Sequence, residues 1–115
     1  MFVAEGATVS VVDIDAIRGA EVEKRFGGKV RFFRADLSRE DEIKTAVEQS
    51  AAWMKGLDTL CLNAGIQLSG KLEAFSTSDW DKVFAINVRA NFIFAREAVK
   101  HLRDAGNASI VMMSS

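Results

Sequence analysis

A chain of 115 residues that is 49% hydrophobic and 27% charged, with no proline, is composed for one globular domain at most. Its 15 basic and 16 acidic side chains are scattered and leave a net charge of −1, which excludes the cationic footprint of a nucleic-acid or anionic-membrane binder. No apolar run approaches the ~20 residues of a bilayer span, the lone Cys61 excludes an internal disulfide or a cysteine-based zinc cluster, and the absence of a basic segment after Met1 points to the cytoplasm.

In chain order, Phe2 to Glu5 followed by Gly6 reads as the last turn of a helix with its glycine stop. Ala7 to Val12 is a short valine-rich run closed by Asp13 and Asp15, the pattern of a strand buried on both faces. Ile14 to Phe26 spreads Ile14, Ile17, Val22 and Phe26 over a helical arc that stops at Gly27-Gly28, and Lys29 to Ala35 is a second strand. Ser38 with Asp41 three residues on forms a capping pattern for a helix carrying Ile43, Val47, Ala51 and Met54 as far as Gly56. Leu57 to Asn63 is a third strand running into Asn63-Ala64-Gly65. Ser78 with Asp81 repeats the capping pattern, and Trp80, Val83, Phe84, Val88, Phe92, Ala95, Val99 and Leu102 predict one long helix with a single buried stripe. Ser109 to Met113 is a fourth apolar strand, closing on Ser114-Ser115.

Strands alternating with helices predict an α/β chain with a parallel sheet, and such folds bind ligands at the carboxyl ends of the strands. The polar marks fall there. Asp13 is either an ordinary helix-capping aspartate or an acceptor for adjacent ribose hydroxyls. Asp36-Leu37 is either a turn or a contact for an adenine amino group and ring. In Asn63-Ala64-Gly65 the small residues permit a flat ligand to approach the backbone, and Asn63 is placed to lock neighbouring strands by hydrogen bonds. Asn87 and Asn91 share the apolar face of the long helix, where an unpaired amide costs about 1–3 kcal/mol, so Asn87 needs a definite partner or a bound water. Cys61 reads as a buried apolar residue, His101 as a surface or helix-end residue and not a catalytic base, and Trp53 and Trp80 as packing residues.

Val11-Val12-Asp13, Asp36-Leu37, Leu60-Cys61-Leu62-Asn63-Ala64-Gly65, Phe84-Ala85-Ile86-Asn87-Val88 and Ile110 to Ser115 together resemble the short-chain dehydrogenase/reductase family in order and spacing. The resemblance extends over essentially the whole chain. It departs at Leu62, where a first Asn often stands, and at Ala90, where Gly is common. It implies a Rossmann-like doubly wound parallel sheet, here incomplete, and hydride transfer between a nicotinamide dinucleotide and an alcohol or ketone. On that reading Asp13, Asp36, Leu37, Asn63, Ala64 and Gly65 bind the cofactor, Asn87 supports a water in the proton relay, and Ser115 positions the substrate oxygen. NAD is expected over NADP, because a carboxylate at Asp13 repels a 2′-phosphate, with Arg18 partly offsetting it. The long helix matches one that often pairs across a homodimer or homotetramer.

The family's proton-exchanging tyrosine and its lysine follow the serine, and this sequence contains no tyrosine. Its glycine-rich phosphate turn precedes the first strand found here. The 115 residues are therefore expected to be an internal fragment, inactive alone. The strands correspond to the family's second to fifth, and the first lies between two of them. The sheet is thus expected to split into two pairs, or to join the second strand to the fourth, leaving aggregation-prone edges. A receiver domain is a poorer reading, because Asp58 starts the third strand instead of ending it. A non-catalytic dinucleotide-binding regulator stays open, and the tyrosine and lysine decide it.

Overall fold

The computed structural model describes residues 1–114. Strand β1 (Val9–Asp13) pairs in parallel with β2 (Val30–Arg34), Val9 opposite Val30 and Asp13 opposite Arg34. Strand β3 (Thr59–Leu62) pairs in parallel with β4 (Ser109–Met112), Thr59 opposite Ser109 and Leu62 opposite Met112. These are two separate ribbons. Of the two arrangements expected from the sequence, the split into pairs is the one formed.

Helix α1 (Ala16–Phe26) lies against β1 and β2, and α2 (Glu40–Met54) packs on the same ribbon and on α4 (Ala90–Asp104), which in turn lies over β3 and β4. The main core sits between α2 and α4, where Ile43, Val47 and Ala51 meet Ile93, Phe94, Ala98 and Leu102, joined by Leu57 and Leu62 from the β3 side. Burying each Ile, Leu or Phe there contributes roughly 1.5–3 kcal/mol. This helix pair, and not a shared sheet, is what ties the ribbons together.

Local chemistry sets the element ends. Phe2–Glu5 is a single 3₁₀ turn closed by Gly6 in the left-handed region at φ 89°, as its glycine predicts. Asp15 caps α1 by accepting from Arg18 N–H at 3.0 Å. Gly19 is buried because the Phe32 ring lies where its Cβ would be.

Several expectations change. Ser38 does not cap α2, whose N-cap is Arg39 without a side-chain bond; the Ser38 hydroxyl goes instead to Asp36. Helix α3 (Thr77–Phe84) is capped by Ser76, which accepts from Asp79 N–H, not by Ser78. The predicted single helix is α3 and α4 joined by a π-turn over Ala85–Arg89. Its single stripe divides as well: Trp80, Phe84, Val88 and Phe92 are exposed, while Ala90, Ile93, Phe94, Ala98 and Leu102 are buried. Trp80 therefore stacks on Phe84, with ring centroids 4.7 Å apart, outside the core. Cys61 is exposed, because alternation along β3 puts it on the face opposite Leu60 and Leu62, the residues that pack on the core.

Candidate active site

Parallel pairing brings the strand carboxyl ends to one side of the molecule. Between β1 and β3 runs a groove of about 860 Å³, floored by Val47, Ser50 and Met54 of α2 and by Asn91, Phe94 and His101 of α4. Asp13 and Leu37 line it from the β1–β2 side, and Asn63 and Ala64 from the β3 side. Asp36, Gly65 and Asn87 stand outside that lining and form two flanking clusters.

Asp13 ends β1 exposed, and its Oδ1 accepts from Asp15 N–H at 3.0 Å, the bond that turns the chain toward α1. Arg18 pairs with Asp15 at 3.5 Å, so the offset expected from Arg18 is directed to a neighbouring carboxylate.

The Asp36–Ser38 turn is closely held. Asp36 Oδ1 accepts from Ser38 N–H at 2.9 Å and from the Ser38 hydroxyl at 2.7 Å, while Asp36 N–H donates to Glu42 at 2.7 Å. The Ser38 hydroxyl first, then its N–H, hold the Asp36 carboxyl below its ordinary value, with Arg34 and Arg39 adding their charge. Both bonds fall on Oδ1, and Oδ2 makes no hydrogen bond among the described residues.

Asn63, Ala64 and Gly65 are exposed after β3. The strand-locking bonds expected of Asn63 are not formed among the described residues, because its side faces the groove and no strand lies within reach. Asn87 has its definite partner: Oδ1 accepts from Ile66 N–H and Nδ2 donates to the Ile66 carbonyl, both at 2.8 Å. A Cβ at Gly65 would stand 3.4 Å from Asn87 Oδ1, in van der Waals contact, so the strand exit passes close to the amide. Asn91 supports Asn87 by donating from Nδ2 to its carbonyl at 2.9 Å, within the π-turn, a device common at functional sites. Ser115, expected to hold the substrate oxygen, lies outside the described residues.

His101 stands at the helix end, in the last turn of α4, where it is half-buried and lines the groove, its Nε2 covered, 3.5 Å from Glu48 and without a hydrogen bond among the described residues. Arg89 escaped the sequence reading altogether, although its Nη2 donates to the Ser38 carbonyl at 2.6 Å. So did the Ser10–Ser50 hydroxyl pair at 2.6 Å, which links β1 to α2.

Parallel strands, crossover helices, and acidic and small residues gathered at the strand ends define the class as a Rossmann-like α/β domain. The family model described as short chain dehydrogenase matches residues 1–115. The chain is 36% identical over 115 residues to a cyclopentanol dehydrogenase of Comamonas testosteroni, an alignment covering 96% of this chain and 46% of that one. It is 31% identical over 113 residues to a 3-alpha-(or 20-beta)-hydroxysteroid dehydrogenase of Mycobacterium bovis, covering 98% and 44%. A solved mutant short-chain dehydrogenase/reductase from Serratia marcescens superposes with a TM-score of 0.88 at 32% identity, over 97% of this chain and 46% of that one. The chain belongs to the short-chain dehydrogenase/reductase family. It spans about half the length of the curated relatives it matches.

Proposed function

We propose that the full-length protein is an oxidoreductase that transfers hydride between NAD and an alcohol or ketone. The observation that carries this reading is that Asp13 and Leu37 from the β1–β2 side and Asn63 and Ala64 from the β3 side line the same groove, with Asn87 fixed near Gly65 by its two bonds to Ile66. The donor set fits a dinucleotide. Asp13 offers a carboxylate to ribose hydroxyls, Asp36 Oδ2 an acceptor to an adenine amino group, and Ala64 and Gly65 an approachable backbone. The nicotinamide, when bound, supplies hydride exchange. Asn87 and its carbonyl, steadied by Asn91, hold a water for proton transfer, and Ser115 holds the substrate oxygen. The dehydrogenase names of the two relatives support the substrate class.

NAD should be preferred over NADP. A 2′-phosphate about 4 Å from Asp13 would be repelled by ~4 kcal/mol per unit charge at an effective dielectric of 20, before screening. Arg18, paired with Asp15, offsets little of this. We also infer that a second copy covers the exposed row Trp80, Phe84, Val88 and Phe92 in a homodimer or homotetramer, and that the protein works in the cytoplasm. No helix among the described residues is long and apolar enough to cross a membrane. These 115 residues contain no tyrosine to exchange the proton, so alone they should not turn over.

The test is reduction of NAD by the full-length protein with secondary alcohols, beside calorimetric titration with NAD and NADP. Turnover with NAD and a preference that shrinks in Asp13→Ala are expected. A protein that binds neither dinucleotide would overturn the reading, and an unchanged preference in Asp13→Ala would remove Asp13 from the ribose.

A further inference from the structure

Two residues apart in the π-turn, Asn87 and Arg89 reach opposite ribbons. Asn87 holds Ile66, just beyond Asn63-Ala64-Gly65 on the β3 side. The Arg89 guanidinium crosses to the β2 side and donates to the carbonyl of Ser38, 51 residues away in sequence. Ser38 closes the turn that carries Asp36 and Leu37, and Arg39 N–H bonds back to the Asp36 carbonyl at 3.0 Å.

Other cations of the same helix also reach α2. Arg96 meets Glu40 and Lys100 meets Glu48, each at 2.7 Å, but these join exposed flexible side chains, and such pairs contribute little. Arg89 differs in its acceptor. It makes a charge-assisted bond to a main-chain oxygen, so it fixes the path of the turn itself.

We propose that Arg89 is a positioning residue for the adenine end of the cofactor, setting the Asp36–Ser38 turn at a fixed distance from the π-turn that carries Asn87. The inference rests on the cofactor reading above. One five-residue segment then anchors both turns of the dinucleotide site. A turn already ordered in the free protein does not have to be ordered on binding, which strengthens binding without any contact between Arg89 and the ligand. The loss on removing Arg89 should therefore fall on cofactor affinity and KM, not on kcat.

The experiment uses the full-length protein with Arg89→Ala and Arg89→Lys. Calorimetric Kd values for NAD and ADP-ribose, inhibition by nicotinamide mononucleotide, steady-state kcat and KM, and amide exchange at Arg39 are measured. In Arg89→Ala the Kd for NAD and ADP-ribose should rise about fivefold, with nicotinamide mononucleotide unaffected and kcat changed less than about twofold. Exchange at Arg39 should quicken, and Arg89→Lys, which keeps a charged donor, should recover most of the affinity. Unchanged NAD and ADP-ribose affinity in Arg89→Ala overturns the inference, and so does an equal loss across kcat and nicotinamide mononucleotide, which marks general damage. Wild-type protein that binds neither NAD nor ADP-ribose sinks the cofactor reading, and this inference with it, before any variant is made.

Discussion

The two edges of the β1–β2 ribbon are treated differently. Ala35 N–H bonds back to the Asp13 carbonyl, so by strand alternation the N–H of Phe32 points the other way, to the outer edge. There it is taken by the Glu23 carboxylate at 2.6 Å. A charged side chain on an outer edge is a way to finish a sheet and discourage further pairing. The inner edges of β1 and β3, across the groove, receive no side-chain hydrogen bond on the backbone of Val9 to Val12 or Thr59 to Leu62 among the described residues. The contrast distinguishes a terminus of the sheet from an interior junction. β2 is shaped to end the sheet, and the groove edges carry no such block among the described residues.

The contrast can be broken most forcefully from beneath. Ile43 is wholly buried where α2 meets α4, the contact that keeps the ribbons in one body. Ile43→Ala should cost about 2–5 kcal/mol in urea unfolding and weaken both ribbons together. Loss of only one ribbon's protection in hydrogen exchange would show that the helix pair does not join them.

Gly19→Ala acts on the finished side alone. Its new methyl would overlap the Phe32 ring, so α1 must move off the ribbon at about 1–3 kcal/mol. Exchange in β3 and β4 should be unaffected. Glu23→Ala is milder and more pointed: it strips the partner from Phe32 N–H, at about 1–2 kcal/mol, and should raise exchange at Phe32 and promote self-association through β2. If aggregation does not increase, the carboxylate is not what blunts that edge.

The smallest effect is titration of the ties that hold the helices and the Asp36 turn. Asp36 is lowered from 3.8 by Ser38, and Glu40 and Glu48 are lowered from 4.5 by Arg96 and Lys100. A carboxyl with a depressed folded value stabilises fully above its ordinary value and loses that contribution as pH falls through the lowered one. Melting temperature should be level above about pH 5 and decline gently below about pH 4, with a shallower decline in Glu48→Gln. A level profile to about pH 3 would show that these ties contribute nothing.

Much of this was legible because hydrophobic runs and glycine stops are local signals. The valine run before Asp13, the stop at Gly6 and the strand ends bearing Asp36 and Asn63-Ala64-Gly65 all form where they were expected. Capping was not decided locally. Ser76 with Asp79 and Ser78 with Asp81 match the same pattern, and the earlier pair forms because the helix begins there. The Ser38 hydroxyl donates to Asp36 instead of accepting from the N–H groups of the helix it was expected to cap. Arg89, Glu23 and the burial of His101 depend on partners dozens of residues or a whole element away, for which a linear pattern carries no mark. Cys61 follows the same rule in reverse: its apolar neighbours suggest burial, but the burial of a strand residue depends on what lies beside the strand.

The π-turn also has a consequence for the geometry of rows. In an ordinary α-helix a residue every four positions drifts by about 40° per step, so four such residues spiral across about 120° of the cylinder. The wider winding at Ala85–Arg89 acts against that drift for the exposed residues Trp80, Phe84, Val88 and Phe92, which are spread over about 18 Å of helix. A straight rail can lie flush against its own copy run in the opposite direction, whereas a spiralling one would touch at a single crossing. The local underwinding that aims Asn87 and Arg89 at their two turns thus also lessens the spiral of the exposed apolar row on the outside of the helix.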